Sequence, residues 1–342
     1  MSTIRADFSR TIIAAFLVLL AAAASAQTAS VQPSRVVVAG RGAALVVDAV
    51  YAFPGLRSRV AATVKPDQGF GLFLSAVDPG FPAKAVLDRN AGAESYAATK
   101  GDLFVMKSYV RSPLGVSLEA LGLKTMYVDL ESPEDYYRDI QAIGSAFGQA
   151  ERADELVGYY RELQADTERR VAGAVRPRVL LAQAAEGGRL WEVAPASWMQ
   201  ARLVDLSGGE NVGSAERGSA WMRVGAEQLA AWKPDVVIAV SYNSDSAAAA
   251  EAFRADPRFG RVPAVISGRV HAMPQDFYSW DQADTRWIIG LRRIAAFIHP
   301  DRFADVDSSA EARRFFELLY GMDKTRFDAV ILPRLKGEHG VE

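Results

Sequence analysis

Aromatic and arginine side chains recur in predicted loops at the ends of strands in both halves of the chain. They are Arg41, Tyr109 and Arg111 in the first half, then Trp191, Trp221, Arg223, Tyr242 and Trp280 in the second. Aromatic rings offer a large apolar face, and a guanidinium binds carboxylate or phosphate-like oxygens through a fork of donors. For any single tryptophan, ordinary packing explains the residue as well. The whole set predicts a cleft for a bulky, partly anionic ligand.

The residues that enzymes use for covalent or metal chemistry are sparse. The sequence contains no nucleophile elbow, no paired histidines at helical spacing and no phosphate-binding glycine loop followed by Lys-Ser or Lys-Thr. Its three histidines, His271, His299 and His339, stand far apart, and cysteine is absent. We therefore predict a protein that is not an enzyme and that has no resident metal or cofactor.

A segment near residue 100 recurs in the second half of the chain. Glu94–Val105 aligns without a gap with Glu227–Ile238, and the two segments share the glutamate, two alanines, a lysine and an aspartate. Each segment predicts a short helix, a turn and a buried strand, which indicates a duplicated architecture. Glu94 and Glu227 open the two helices. A first-turn acid stabilises any helix, but two outward acids at matching places also suit a partner with basic residues.

The order of predicted elements indicates an α/β fold with two lobes. A strand over Arg35–Ala39 precedes a helix over Ala43–Tyr51, and Pro133–Val171 reads as helix throughout, with Gly148 as the point where it bends or breaks. We predict two α/β lobes with central sheets, joined by one long rigid helix, with the ligand cleft between them. The predicted domains are residues 27–131, the connecting helix 132–172 and residues 173–342.

One region of the second lobe has an assignable secondary-structure pattern and another does not. Val265–Met273 predicts a strand that Gly268 interrupts, whereas the polar tail after Gly321 carries no assignable pattern.

The N-terminus has the features of an export signal. Arg5 and Arg10 precede an apolar run from Thr11 to Ala24, and Ala24-Ser25-Ala26 forms a small-residue cleavage pattern. The run is shorter than the ~20 residues of a membrane-spanning helix, so a cleaved signal peptide over residues 1–26 is favoured over an anchor. Without cysteine there is no site for lipid attachment, which favours the periplasm. The formal net charge of −2 indicates neither nucleic acid nor an anionic membrane as a partner.

Several segments resemble the solute-binding proteins of ABC importers for iron–siderophore complexes and vitamin B12. They are Val224–Ile238, Asp256–Phe259, Gly268–His271 and the stretch from Ser279 to Phe303. The resemblance implies two α/β lobes joined by a long helix, with ligand in the cleft. It also implies that one surface glutamate on each lobe docks onto arginines of the membrane permease, and Glu94 and Glu227 stand at those positions.

The sequence differs from the family pattern in the first lobe. Gly101 stands where the family usually has proline, and residues 65–90 differ from the common pattern. Because these loops line the cleft, the ligand stays open among several classes.

These observations together predict a periplasmic, monomeric substrate-binding component of an ABC importer. It captures a metal chelate, with a ferric siderophore favoured, and delivers it to a permease dimer in the inner membrane. A corrinoid, haem or molybdate-type oxyanion is the alternative ligand. A ligand-sensing module and an extracytoplasmic metal-chelate hydrolase are the alternatives from other functional classes.

Overall fold

Five parallel strands form the first of two sheets. A computed structural model of the chain describes residues 32–66, 68–213 and 220–341, and the predicted signal peptide over residues 1–26 lies outside them. The strand order is β3-β2-β1-β4-β5. The strands are β1 (Val36–Val38), β2 (Val60–Val64), β3 (Ala85–Leu87), β4 (Leu103–Lys107) and β5 (Thr125–Val128).

The second sheet is mixed, with the order β11-β10-β6-β7-β9, and β8 pairs with β6. Neighbours around β10 are parallel, whereas β7 is antiparallel to both β6 and β9. These strands are β6 (Arg178–Ala185), β7 (Leu190–Val193), β8 (Glu210–Asn211), β9 (Met222–Val224), β10 (Val236–Val240) and β11 (Val270–Ala272).

Helices connect the strands and cover both sheets. In the first half they are α1 (Ala43–Tyr51), α2 (Pro54–Arg57), α3 (Phe73–Val77), α4 (Ala93–Ala97), α5 (Val116–Ala120), α6 (Pro133–Ala146) and α7 (Ala150–Val171). In the second half they are α8 (Met199–Leu206), α9 (Ala226–Ala231), α10 (Ser246–Ala255), α11 (Pro263–Ile266), α12 (Trp287–Ile298), α13 (Ser308–Tyr320) and α14 (Lys324–Val330).

The hydrophobic core extends through both lobes. The central strands β1, β4 and β10 are fully buried, and their near-continuous apolar sequences are typical of parallel strands covered on both faces. Alternate residues of β6 point to opposite faces: Val179 and Leu181 join the large core cluster, whereas Leu180 and Ala182 join a smaller one. The predicted architecture of two α/β lobes with a long helix between them is confirmed, and α7 alone contains 22 residues.

The connector region consists of two helices. Gly148 takes a left-handed φ of 65° between α6 and α7, a conformation that glycine adopts without strain. A Cβ atom at Gly144 would lie 2.5 Å from the Cβ of Ala153, so the two helices pack closely where they meet. The continuous helical pattern from Pro133 to Val171 is therefore divided at its glycine.

The C-terminal helices contact the first lobe. Arg57 Nη2 donates to the carbonyl of Leu319 at the end of α13 (3.3 Å), and Arg326 Nη2 of α14 donates to the carbonyl of Ala76 (2.5 Å). These helices fall in the range 173–342 that the sequence assigned to the second lobe, and the domain limits stay a prediction.

The strand predicted over Val265–Met273 is shorter than expected. Its first residues belong to α11, Gly268 turns the chain with φ 72°, and only Val270–Ala272 form β11. Pro263 favours the start of this helix, because proline is well suited to the first turn.

The internal repeat is visible in the structure. The strands β4 and β10 begin and end at matching positions of the repeat, and α4 and α9 begin at matching positions. Asp102 and Asp235 each accept the backbone N–H of an arginine at the neighbouring strand, Arg35 at 3.0 Å and Arg178 at 2.9 Å. The shared aspartate therefore has a structural explanation in both lobes.

The shared lysines lie in matching left-handed turns, and Gly101 has a structural explanation. Lys100 and Lys233 both take a left-handed conformation, with φ of 57° and 46°, at the turn before the strand. A Cβ atom at Gly101 would lie 2.6 Å from Val37 Cγ2. The close approach of β1 thus accounts for glycine where the family usually has proline.

Glycine at either lysine position should stabilise the protein. Left-handed backbone costs a side-chain-bearing residue about 1–2 kcal/mol, and glycine loses part of that gain through its greater freedom when unfolded. We expect Lys100→Gly and Lys233→Gly each to raise the unfolding free energy by about 0.5–1 kcal/mol in urea denaturation. Lys124→Gly, at an exposed site without positive φ, is the control and should not gain. A loss of stability at both repeat positions would refute the strain argument.

Candidate ligand-binding cleft

A cavity of about 1080 Å³ opens where the carboxyl ends of strands from the two sheets face each other. The first lobe lines it with the loops that follow β1, β3, β4 and β5. The second lobe contributes residues before α8, before β9 and after β10, together with Gln282 and Ala283. Loops at the carboxyl ends of open α/β sheets are the usual place for a ligand.

The turn after β1 brings an arginine to the cavity. Gly40 and Gly42 both have φ of 76°, and a Cβ atom at Gly42 would lie 2.7 Å from Tyr109 Oη. Gly42 thus lets the tyrosine pack against the turn, and Arg41 is exposed between the two glycines. Arg41 lines the cavity, and among the described residues no hydrogen bond or ion pair engages its guanidinium.

Two carboxylates line the other end of the first lobe's wall. Glu131 accepts from the Nζ of Lys107 at 2.8 Å, and the lysine side chain is only 1% exposed. Asp129 pairs with Arg138 Nη2 at 2.7 Å. Asp139 holds the turn by accepting the backbone N–H groups of Asp129 (2.6 Å) and of the next residue (2.9 Å). Both acids thus contact a cation of their own lobe, whereas Arg41 has no ion-pair partner among the described residues.

The second lobe forms an aromatic wall. Trp221 packs edge-to-face between Trp198 and Tyr242, with both ring-centroid distances at 5.8 Å. Tyr242 Oη donates to Asp281 Oδ2 at 2.7 Å and accepts from Gln200 Nε2 at 3.1 Å. Burial raises the pKa of Tyr242 well above its ordinary value, so the phenol stays neutral and offers a ring face and a polar edge.

Half of the predicted site residues lie at this cavity. Arg41, Tyr109, Trp221 and Tyr242 line it.

The other four predicted residues lie elsewhere. The Arg111 guanidinium covers the ring of Tyr127 at 5.1 Å. Trp191 is buried in β7 against Phe253, with ring centroids 5.1 Å apart. Trp280 is buried and donates its Nε1 to Asp276 at 3.0 Å.

Arg223 lies on β9, directly opposite Glu192 of β7, and pairs with it at 3.3 Å. The sequence pattern predicts loops at Trp191 and Arg223. Both are strand residues of the antiparallel β7–β9 pair, where alternate side chains point inward and outward.

Several cavity residues were not predicted from the sequence. They are Gln68, Arg89, Asn90, Asp129, Glu131, Trp198, Gln200 and Gln282. Position alone could have indicated three of them, because Arg89 follows β3 and the two acids follow β5 at the carboxyl edge of the sheet. Gln282 had no such signal, because it lies in a buried loop without regular structure.

The two repeat glutamates differ from the other shared residues. Glu94 and Glu227 lie in the first turns of α4 and α9, and both are exposed. Neither carboxylate accepts a hydrogen bond from another described residue. The fold accounts for the shared aspartates, whereas no hydrogen bond or ion pair of a described residue engages these two carboxylates.

The described residues offer neither a metal-binding cluster nor a membrane-spanning helix. The described residues contain no group of three or more histidine, cysteine, aspartate or glutamate side chains that could hold a metal ion. Over the same residues, no helix is both long and apolar enough to span a bilayer.

Comparisons with known proteins match the two-lobe fold. A family model described as periplasmic binding protein matches residues 82–277. A search of curated proteins found no match. Among solved structures, the chain is similar to a periplasmic solute-binding protein from Veillonella parvula, with 19% identity, 88% of this chain and 92% of that chain covered, and a TM-score of 0.70.

Two further similar structures are those of complexes. The molybdate periplasmic binding protein MolA of Haemophilus influenzae, bound to molybdate, has 16% identity and a TM-score of 0.67, with 85% and 95% of the two chains covered. CeuE of Helicobacter pylori, in a Ni-His complex, has 14% identity and a TM-score of 0.69, with 88% and 95% covered. At these identities the similarity establishes the fold.

Proposed function

Since this chain belongs to the periplasmic binding protein family, we propose that it is the substrate-binding component of an ABC importer and that its cleft captures a metal chelate, with a ferric siderophore as the favoured ligand. It is exported through the signal peptide predicted at residues 1–26, works in the periplasm as a monomer, and passes its ligand to a permease dimer. The observation that carries the proposal is a large cleft that combines Arg41, which has no ion-pair partner among the described residues, with an aromatic wall.

The size of the cleft favours a bulky ligand. Pockets that enclose drug-sized molecules have volumes of about 300–1000 Å³, and this cavity is slightly larger than that range. An oxyanion such as the molybdate bound to MolA would fill a small part of it. A chelate of several hundred daltons fits the available space better.

The chemistry of the two walls supports a ligand with an anionic group and an apolar face. Arg41 offers a fork of donors to carboxylate, phenolate or hydroxamate oxygens. Trp198, Trp221 and Tyr242 offer ring faces and edges to a flat or apolar portion. Haem and corrinoids also have a flat or apolar portion that suits the aromatic wall, so they remain the competing ligands.

The two repeat glutamates are proposed as the permease-docking residues. Glu94 and Glu227 are exposed, occupy equivalent places on the two lobes and make no contact that the fold needs. Exposed acids placed in this way can pair with arginines on the two halves of a permease dimer, one lobe to each half.

Titration of intrinsic tryptophan fluorescence tests the proposal. The panel contains ferric catecholate and hydroxamate siderophores, haem, cobalamin and molybdate. We expect one ferric chelate to quench the emission saturably, because Trp198 and Trp221 line the cavity. Quenching by molybdate alone would identify an oxyanion carrier, and quenching by haem or cobalamin would identify the competing ligands. Absence of any response across the panel would reject the chelate proposal.

A matched pair of arginine variants locates the binding site. Arg41→Ala should weaken binding of the quenching ligand by about tenfold or more, since a hydrogen bond to a charged group contributes about 1.5–3 kcal/mol. Arg223→Ala should bind as the wild type does, because this exposed arginine pairs with Glu192 outside the cavity. Equal losses in both variants, measured by the same titration, would place the ligand elsewhere.

A further inference from the structure

A buried loop without regular structure crosses the interior between β11 and α12. Every residue of the segment 273–286 is buried. Such loops are rare, because their polar groups need partners inside the protein. Here the partners come from both lobes: Gln275 Nε2 donates to the carbonyl of Ser241 (3.0 Å), and the carbonyl of Phe277 accepts from the N–H of Phe70 (2.8 Å).

The same loop forms part of the cavity wall. Gln282 and Ala283 line the cavity, and Asp281 accepts the hydroxyl of Tyr242, another lining residue. The last residue of the loop, Arg286, lies outside the cavity and is fully buried. A short stretch of backbone therefore connects the ligand site to a buried guanidinium.

Arg286 binds carboxylates from both lobes. Its Nε contacts Asp276 Oδ1 at 2.8 Å, and its Nη1 contacts Asp284 Oδ2 at 3.0 Å, both within the loop. The same Nη1 contacts Asp48 Oδ2 at 2.9 Å, and Asp48 belongs to α1 of the first lobe. All four side chains are inaccessible to solvent. The loop is thus tied to the first lobe at its final residue.

The cluster contains three carboxyl groups and one guanidinium. Full ionisation would leave two excess negative charges in the interior, and a buried unpaired charge costs several kcal/mol. Asp276 also accepts from Trp280 Nε1 (3.0 Å), and Asp284 also accepts from the N–H of Arg286 (2.8 Å). Asp48 Oδ1 has no partner among the described residues. Asp48 is therefore the carboxyl that most readily keeps a proton.

The surroundings of Asp48 support this assignment. Burial is the main cause that raises the pKa of Asp48 from 3.8 to about 8, opposed by Arg286 and assisted by the other two aspartates. The remaining ionisable groups that face it are neutral phenols. They are Tyr51 on its own helix, Tyr136 on α6, Tyr278 in the loop and Tyr320 on α13.

We propose that Arg286 positions the wall of the ligand cavity by holding the buried loop against a protonated Asp48 of the first lobe. The proton keeps the cluster at a single excess negative charge. Its loss adds a second buried negative charge, and the repulsion of Asp48 by Asp276 and Asp284 together with its burial then outweighs the added attraction to Arg286 and weakens the contact between loop and first lobe. The inference rests on the proposed function only in taking the cavity as the ligand site.

Distance measurement between two spin labels by pulsed electron–electron double resonance tests this proposal without any ligand. The chain has no cysteine, so spin labels can be placed at Ala98→Cys and Ala231→Cys, two exposed and equivalent positions of the repeat. We expect one narrow distance distribution at neutral pH that broadens well above pH 8. Asp48→Asn should stay narrow at both pH values, because it keeps the shape and cannot ionise. Asp48→Ala should be broad at both.

Several outcomes would overturn the proposal. They are a wild-type distribution that stays narrow above pH 8, one that is already broad at neutral pH, and an Asp48→Asn variant that broadens as the wild type does. Arg286→Lys should be broad at both pH values, and if it does not fold, the comparison of Asp48→Asn with wild type still decides. Affinity for the panel member that quenches fluorescence should fall above pH 8 in the wild type and not in Asp48→Asn. A panel without any binder would reject the proposed function and leave the distance result valid.

Discussion

A variant with arginine at both Glu94 and Glu227 should bind its ligand as the wild type does and fail to import it. Each substitution replaces an exposed acid with a base at a surface where we propose that permease arginines dock. Like charges brought together at an interface cost several kcal/mol, which is enough to abolish a transient complex. Neither residue lines the cavity, so affinity should not change. Uptake of labelled ligand by whole cells, beside fluorescence titration of the purified variant, measures the two effects.

The control for this variant carries the same change of charge elsewhere. Asp154 and Glu162 are exposed on α7, and Asp154→Arg with Glu162→Arg should leave uptake intact. Single reversals at Glu94 or Glu227 should reduce uptake less than the double reversal, because one lobe remains docked. Normal uptake in the double variant would reject the docking assignment, and loss of uptake in the control would show a non-specific charge effect.

The unfolding free energy should fall as the pH rises toward 8, and Asp48 should be the main cause. Below the ordinary value of 3.8 both the folded and the unfolded chain hold this proton, whereas between 3.8 and about 8 only the folded chain does. Deprotonation therefore favours the unfolded chain, and each pH unit in this window lowers stability by about 1.4 kcal/mol for a single group. Burial also raises the pKa of Asp284 to about 6, which adds to the slope at the acid end.

Asp48→Asn isolates this effect. In urea denaturation across the pH series, the unfolding free energy of the variant minus that of the wild type should increase with pH and level off above about 8. The exposed carboxyl of Asp301 provides a control, and Asp301→Asn should follow the wild-type curve. A difference between Asp48→Asn and wild type that does not vary with pH would show that Asp48 is ionised in the folded protein.

Local sequence patterns predicted the elements that have a clear hydrophobic periodicity or a helix-capping residue. The helix over Ala43–Tyr51 has the predicted bounds, and the strands of the repeat lie where the aligned segments placed them. The repeat succeeded because helix, turn and strand follow each other within a dozen residues, so no long-range information was needed. Once the turn geometry was known, the backbone angles and hydrogen bonds of the shared residues distinguished Glu94 and Glu227 from the lysines and aspartates.

The site was harder to predict, because it depends on contacts between distant segments. Trp191 and Arg223 share the sequence features of cavity residues, yet the pairing of β7 with β9 turns one inward and pairs the other with Glu192. Trp280 lies in a buried loop whose partners come from both lobes. Sequence position at a strand end indicated Arg41 and Tyr109 correctly as lining residues, since both follow central strands of the first sheet.

Native mass spectrometry of the protein isolated from its own host's periplasm would show whether the cleft holds a metal chelate. We predict a bound species with the mass and isotope pattern of a metal chelate, lost on mild denaturation and strongly reduced in Arg41→Ala but not in Arg223→Ala. A bound ligand without metal, or equal retention in both variants, would contradict the account.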